Sequence, residues 1–501
     1  MQYEPKSRSR RPTILCLINS AAYCRSYFEA LQPHLEQQGF DVAYALDSHL
    51  SDVLYADGNP LPDADYFTDF CRSRLPSLAG YANRPRAAGW GLLYSDFDRF
   101  LTLGYPPPLA PGGPLAYEYV PGLLEDFFES VFERIRPTAV LYEQVSNSFA
   151  IAANIAATKR SLPFCSIAPA RLPGRIEVSL TGALDDHVTL HSYLKQARAG
   201  GVSDEAWQLA RDYHAQVETA VPDYMQAGQA GAMLARMSLT ERYATSEKLA
   251  HLARIWRYRR SHRDDVALAY QHGDPLLQSW AYFRRSVARR LRYARVRHHY
   301  RHDVREGRFL LYPLHFHPEA STSVLAPDFV NEMHVIEAIA FRLPTGLRLV
   351  VKEHPSAVAL QSTSFYERLS RLPNVELVSA NLNAKVLARA SCGVVCVTST
   401  LGFEAAVMNK PVIALGDVLY GYYPNVRMVR DLSALETALR WAVDHQPLPE
   451  QEILTATAAY AEFTAPGAFD FRTTAGNPEA LCSMAHLIAV RLSKLVTSAV
   501  F

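Results

Sequence analysis

The sequence has no long hydrophobic run. Its 501 residues are 49% hydrophobic, yet no apolar stretch reaches the roughly 18 residues that a membrane-crossing helix needs, so no transmembrane helix is expected. It also lacks an excess of either charge: 51 Lys and Arg against 50 Asp and Glu leave a formal net charge of +1. That balance gives no whole-molecule attraction to nucleic acid, and no nucleic-acid partner is expected. Cysteine is scarce and unpatterned. The seven cysteines are odd in number, with no CxxC pair and no Cys/His cluster, which argues against a secreted disulfide framework and for reduced, buried thiols. Cys392 and Cys396 lie in SCGVVCV, which reads as a strand. Four residues along a strand span roughly 13 Å, too far to share one metal. No metal and no cofactor are expected.

At the N-terminus, Lys6, Arg8, Arg10 and Arg11 precede the run TILCLI, a faint imitation of a signal peptide. The run Thr13–Ile18 is shorter than the roughly 7–15 residues of a signal-peptide core, and Asn19-Ser20 ends it. It reads instead as the first strand of a β-α-β unit, and the expected location is the cytoplasm.

Strands and helices then alternate. Strands are expected at Thr13–Ile18, Asp41–Ala45, Thr138–Tyr142 and Phe164–Ile167, with helices at Arg25–Gln38, Pro121–Arg136 and Asn147–Thr158. The Gly- and Pro-rich stretch from Pro60 to Gly113 carries no placeable pattern. From about Ser203 to Arg301 the pattern is mostly helical, and its latter part is strongly basic, with Arg254, Arg257, Arg259, Arg260, Arg284, Arg285, Arg289, Arg290 and Arg292. That stretch is read as a solvated helical insertion or connector, or alternatively as a surface for anionic lipid headgroups or an anionic glycan. At Phe309 the alternation resumes, with strands at FLLYPL, LRLVVKE, VELVS, CGVVCVTS and Pro411–Leu415. Such alternation implies parallel, doubly wound sheets. The chain therefore divides into an N-terminal Rossmann-like unit (1–200), a basic helical connector (201–305), a C-terminal Rossmann-like unit (306–449) and helices packing back across the first unit (450–501). Two such units facing a cleft make an α/β fold of the GT-B type.

Ligands of open α/β sheets bind beyond the carboxyl ends of the strands. LRLVVKE runs into His354-Pro355, where proline ends the pairing and holds His354 extended at the sheet edge. In Thr398-Ser399-Thr400-Leu401-Gly402-Phe403-Glu404 a strand gives way to a helix, whose free N–H groups and dipole favour a phosphate. Ser399 and Thr400 could donate to that phosphate or simply cap the helix. Glu404 does not fit the capping-box spacing and is suited to accept from a ribose diol. The loop His315-Phe316-His317-Pro318-Glu319 offers an H-x-H-x-E spacing, but its proline and the lack of a fourth ligand argue against a metal. Glu143 ends the strand TAVLYE and is the candidate for managing the acceptor proton. The alternative is a capping role for the helix near Asn147. Gln144, Ser146 and Asn147 beside it could orient sugar or acceptor, and Arg171 and Arg175 in PARLPGR suit a sugar carboxylate.

The runs YPLHFHPEAST, VKEHPS and VTSTLGFEAAVMNKPVIALG, in that order, resemble the capsule polysaccharide biosynthesis family, which includes bacterial transferases of the acidic sugar Kdo from CMP-Kdo. The resemblance is close over roughly Leu310–Tyr420 and looser in the N-terminal half, and His317 stands where the family pattern has Gln. It implies a GT-B fold with a CMP-sugar site in the C-terminal unit. His354, Ser399 and Thr400 would contact the nucleotide phosphate, with Lys352, Pro355, Leu401, Gly402, Glu404 and His315 nearby, and His317 and Glu319 toward sugar or acceptor. Glu143 and His354 are the catalytic candidates. The partners implied are a nucleotide-sugar donor, a glycan or glycolipid acceptor and, through Arg254–Arg301, the cytoplasmic face of an anionic inner membrane. A CDP-alcohol-dependent glycerophosphotransferase of the teichoic-acid type, or a non-catalytic partner of a polysaccharide assembly complex, are the alternative readings.

Overall fold

Two β-sheets, each sandwiched by helices, organise the chain. The computed structural model describes residues 11–81, 89–107, 116–183, 186–223, 225 and 238–498. The first sheet contains β1 (Thr13–Ile18), β2 (Asp41–Leu46), β3 (Asp65–Tyr66), β4 (Ala139–Tyr142), β5 (Phe164–Pro169), β6 (Arg175–Ser179) and the late strand β13 (Ala465–Pro466). Its order is β13-β6-β5-β4-β1-β2-β3. β1 to β5 run parallel, with Ile14 opposite both Val42 and Ala139, whereas β6 turns back antiparallel and β13 pairs antiparallel with it. All six residues of β1 are buried. A strand covered by helices on both faces has no solvent side, so a continuous apolar run suits it.

The second sheet is parallel throughout. It consists of β7 (Phe309–Pro313), β8 (Arg348–Lys352), β9 (Val375–Val378), β10 (Gly393–Cys396), β11 (Val412–Ala414) and β12 (Val426–Met428), in the order β12-β11-β10-β7-β8-β9. One mostly parallel and one wholly parallel sheet give the two-unit α/β arrangement of the GT-B type expected from the strand-helix alternation.

Part of the unplaced Pro60–Gly113 stretch is helical, at Phe67–Arg74 and Tyr94–Leu103, while residues 82–88 and 108–115 lie outside the described residues. The end of the chain returns to the first unit. Phe469 and Phe471 pack edge-on against Tyr27, with ring centroids 5.3 and 5.0 Å apart. Leu481, Met484 and Ile488 of the helix Pro478–Ser498 join the same core.

The connector is held to both units by buried polar contacts. Asp265 is fully buried and accepts from the His49 N–H at 3.0 Å and from the hydroxyls of Thr68 and Tyr258, which satisfies a charge that burial would otherwise make costly. The long helix Pro275–Val296 begins with Pro275 in its first turn and Asp274 accepting from the Leu276 N–H, a combination favoured at helix starts. Its arginines reach main-chain carbonyls on both sides. Arg284 donates to Gly104, Arg285 to His317 at 2.8 Å, Arg289 to Val358 at 2.5 Å, and Arg292 to Ala359 and Leu360 at 2.9 and 2.8 Å. Of these four side chains, read in the sequence as solvated or lipid-facing, Arg284 is exposed, whereas Arg285, Arg289 and Arg292 are half-buried and tie the helix to the C-terminal unit. Among the described residues no helix is long and apolar enough to cross a membrane.

Candidate active site

The carboxyl ends of β1 and β4 open into a cleft of about 1050 Å³. One wall is Asn19–Tyr23 and Tyr142–Glu143, the roof is the connector, and the far side is Pro318, Glu319, Ala320 and Ser323 of the loop after β7. The cleft therefore lies between the two sheets, with residues of both units facing one space.

Glu143 follows β4 directly, and its main-chain carbonyl accepts from the Ile167 N–H at 2.9 Å, which fixes the residue at the sheet edge. Its half-buried side chain lines the cleft, and among the described residues its carboxylate has no hydrogen-bond or ion-pair partner. Burial raises its pKa to about 7, because the charged form is desolvated without compensation. The helix cap is Asn147 instead, whose side chain accepts from the Ala150 N–H at 3.1 Å. Asn147 is held by Gln271, which donates to it and to the buried Asp96 at 3.2 Å each. Ser146 and Asn147 line the cleft beside Glu143, whereas Gln144 is not among its lining residues.

A second cavity of about 560 Å³ lies beyond β8 and β9, lined by Glu353, Pro355 and Ser379–Asn381. Its other wall is one face of the helix Pro275–Val296 and the turn after it. Ser286, Arg289, Arg290, Tyr293 and Arg297 point into it at helical spacing. Glu353 at its floor is buried and accepts from the hydroxyls of Tyr300 and Tyr366 at 2.7 and 2.9 Å. Burial raises that carboxyl to about 7 against the lowering effect of these bonds. Lys352 is buried next to it, donating to the carbonyls of Glu353 and Ala380 at 3.1 and 3.2 Å, and burial lowers its pKa to about 8. His354 is half-buried, and its Nδ1 accepts from the Ser356 N–H at 3.1 Å. Burial, then the charges at His315, Lys352 and Arg289, push its pKa down to about 4. The imidazole is thus neutral with its proton on Nε2.

Several sequence expectations need correction. His315 has both ring nitrogens engaged, Nδ1 with Glu332 at 3.1 Å and Nε2 accepting from the Thr398 N–H at 3.2 Å, so it ties the ends of β7 and β10 together instead of facing a phosphate. His317 contacts Thr322 and Asp98 and joins the two units. Glu404, expected at a ribose, is buried and forms an ion pair with Lys385 at 2.9 Å. Ser399 accepts from the Leu401 N–H through its hydroxyl and from the Gly402 N–H through its carbonyl, which uses two of the helix N–H groups assigned to phosphate. Thr400 follows it, half-buried, as the first helical residue. Arg171 and Arg175 face away from the cleft. The Arg171 N–H donates to the Tyr460 hydroxyl and its guanidinium lies 3.7 Å from Glu177, while Arg175 donates to Thr464 and to the carbonyls of Ala461 and Thr464. The reason is that β6 turns back and buries this segment under the helix Glu450–Phe463. Glu319 does line the cleft, where burial, opposed by Ser321, raises its pKa.

Three cleft arginines have no motif in the sequence. Arg99 comes from the helix Tyr94–Leu103, Arg242 from the connector, and Arg472 from the returning C-terminal segment, stacked over Tyr23 at 4.8 Å. The arginines of the second cavity did carry a signal, since residues 286, 289, 290, 293 and 297 recur on one helical face.

Residues 208–425 match a family model described as "Capsule polysaccharide biosynthesis protein". The match covers most of the C-terminal unit and most of the connector. No curated protein sequence matches the chain. Solved structures similar to it include a beta Kdo 2,7 transferase, KpsC of Thermosulfurimonas dismutans, at 11% identity and TM-score 0.34, covering 66% of this chain and 80% of that one. They also include a beta Kdo 2,4 transferase from the same KpsC, at 14% and 0.33, covering 64% and 79%. A third is the UDP-GlcNAc 2-epimerase of Methanocaldococcus jannaschii in complex with UDP-GlcNAc and UDP, at 8% and 0.31, covering 95% and 99%.

Proposed function

We propose that this protein is a glycosyltransferase of capsule or surface polysaccharide synthesis, moving an acidic sugar such as Kdo from a CMP-linked donor to a glycan or glycolipid acceptor. The observation that carries the reading is the unpaired Glu143 carboxyl at the end of β4, facing a cleft closed on its far side by the loop after β7. With a pKa near 7, that group is ionised in part at neutral pH and can take the proton of an acceptor hydroxyl as it attacks the sugar. Arg99, Arg242, Lys248 and Arg472 outnumber the cleft's acids, Glu143 and Glu319, which favours an anionic sugar or acceptor. The nucleotide belongs in the neighbouring basic cavity, where Arg289, Arg290 and Arg297 face a space of about 560 Å³ beside Pro355 and supply charge-assisted donors. The family match over residues 208–425 supports the same reading. Work at the cytoplasmic face of the inner membrane is part of the proposal, consistent with a lipid-linked acceptor.

Calorimetric titration with CMP, CDP, UDP and GDP, followed by product analysis with the matching sugar donor, tests it. CMP should bind most tightly and the product should carry a new glycosidic bond. Phosphoryl transfer from a CDP-alcohol would replace this reading with a glycerophosphotransferase, and no nucleotide binding at all would remove it.

A further inference from the structure

We infer that Arg242, on the helical connector, is a catalytic residue that holds the phosphate of the departing nucleotide. The inference rests on the glycosyl-transfer reading. Among the described residues Arg242 is the one side chain that lines both the interdomain cleft and the basic cavity beside Pro355. In a nucleotide-activated sugar, the bond that breaks lies between those two halves of the molecule. With the nucleotide in the basic cavity and the sugar beside Glu143, the sugar–phosphate linkage crosses the junction, where Arg242 stands.

The local structure fixes the backbone that carries that side chain. The short helix Leu239–Tyr243 is fixed at its start by a reciprocal cap, with the Glu241 N–H donating to Ser238 Oγ at 3.1 Å and the Ser238 N–H to Glu241 Oε2 at 2.7 Å. Tyr243 binds the helix to its long neighbour through Ser286, hydroxyl to hydroxyl at 2.5 Å. The Arg242 guanidinium lies 5.4 Å from the centre of the Tyr243 ring, and among the described residues no carboxylate forms an ion pair with it. A charged, unpaired fork at a junction of two cavities is available to an anion.

The step balances as follows. The bond from the anomeric carbon to the phosphate oxygen breaks, and its electron pair stays on that oxygen. The acceptor hydroxyl oxygen forms the new bond to the anomeric carbon and its proton passes to the Glu143 carboxylate. The nucleotide leaves with one more negative charge on its phosphate, and the Arg242 N–H groups stabilise that charge as it develops.

The test compares the parent with Arg242→Ala and Arg242→Lys, titrating CMP and cytidine by calorimetry and measuring turnover. Arg242→Ala should lose at least about tenfold in CMP affinity, keep its cytidine affinity and lose turnover, while Arg242→Lys should recover part of both losses. Parental CMP affinity in Arg242→Ala overturns the inference. So does an equal loss of CMP and cytidine affinity, which would assign the residue a structural part only. Both results leave the glycosyltransferase reading standing. A parent that binds none of CMP, UDP or GDP overturns that reading and the inference together.

Discussion

His317 Nε2 lies 3.2 Å from Asp98 Oδ1, joining the loop after β7 to the helix Tyr94–Leu103 across the two units. The other Asp98 oxygen accepts from Ser323 Oγ at 2.6 Å, and His317 Nδ1 meets Thr322 Oγ1 at 3.0 Å. Ser323 and Glu319 belong to the same loop and line the cleft. One buried carboxylate in the N-terminal half thus sets the position of the C-terminal wall of the candidate active site.

Replacing Asp98 should therefore loosen the two units. Burial alone would raise this carboxyl, but the bonds from His317 and Ser323 hold it below the usual range. A depressed folded pKa contributes stability that is present above the unfolded value of about 3.9 and is lost as pH falls through the folded value. Asp98→Ala should cost about 1–3 kcal/mol at pH 7 through the orphaned partners, and the deficit should shrink below about pH 4. Thermal denaturation at pH 7 and pH 3.5 measures both, and equal melting temperatures for parent and variant at pH 7 would refute the linkage.

Glu143→Gln should abolish most turnover and leave nucleotide affinity nearly unchanged, because the group acts at the reacting centre and not on the donor's nucleotide. It should also make the protein more stable at alkaline pH. A carboxyl raised to about 7 favours folding below its unfolded pKa, and that contribution is lost as pH rises through 7. The melting temperature of the Gln variant should exceed the parent's at pH 8 and match it at pH 4.5. A variant that is less stable at pH 8 would mean the carboxylate has a partner, and its catalytic role would fall.

The features legible in the sequence were those that local pattern controls. TILCLI, LRLVVKE and CGVVCV stand out because strands buried on both faces need continuous apolar runs, and the structure places strands at Thr13–Ile18, Arg348–Lys352 and Gly393–Cys396. RIEVS at Arg175–Ser179 was missed because its pairing depends on β5 in one register and on two residues near position 465. That is why Arg171 and Arg175 were placed at the cleft. Glu143 could be read from its position at the end of a strand. The engagement of His315 with Thr398 and of His317 with Asp98 could not, since the partners are 83 and 219 residues away. Glu404 is likewise engaged by a tertiary partner. Its distance from the helix start was visible, but Lys385, on the neighbouring helix Ala384–Ala390, was not an evident partner.

The sequence places Gly402 near a phosphate, whereas its environment points to packing. A Cβ there would come within 2.3 Å of the Tyr420 hydroxyl and 2.7 Å of its ring, while that hydroxyl donates to the Ser399 carbonyl at 2.7 Å. Gly402→Ala should force the ring away and break this bond, costing about 1–3 kcal/mol by overpacking. A thermal melt shows the loss directly, and a parental melting temperature would mean that Tyr420 moves freely and the glycine is kept for another reason.

His354→Ala should weaken nucleotide binding by a factor that does not grow as pH falls. The Ser356 N–H fixes Nδ1 as acceptor, so Nε2–H is the donor offered to a phosphate, and the ring stays neutral because its pKa is pushed down to about 4. A hydrogen bond from a neutral donor to a charged acceptor contributes about 1.5–3 kcal/mol, so affinity for CMP should fall at least about tenfold. The phosphate itself titrates near pH 6, and its monoanion accepts a weaker bond than its dianion, so a neutral donor makes the ratio shrink, not grow, toward acid pH. That ratio should stay constant from about pH 7 to pH 8 and should not rise at pH 6. An imidazolium contact would behave differently, with the parent gaining affinity over the variant as pH falls through about 6.5. Calorimetry at three pH values separates the two cases. A ratio that grows toward acid pH would show that bound nucleotide restores the charge on His354, and a ratio of one would take the residue out of the nucleotide site altogether.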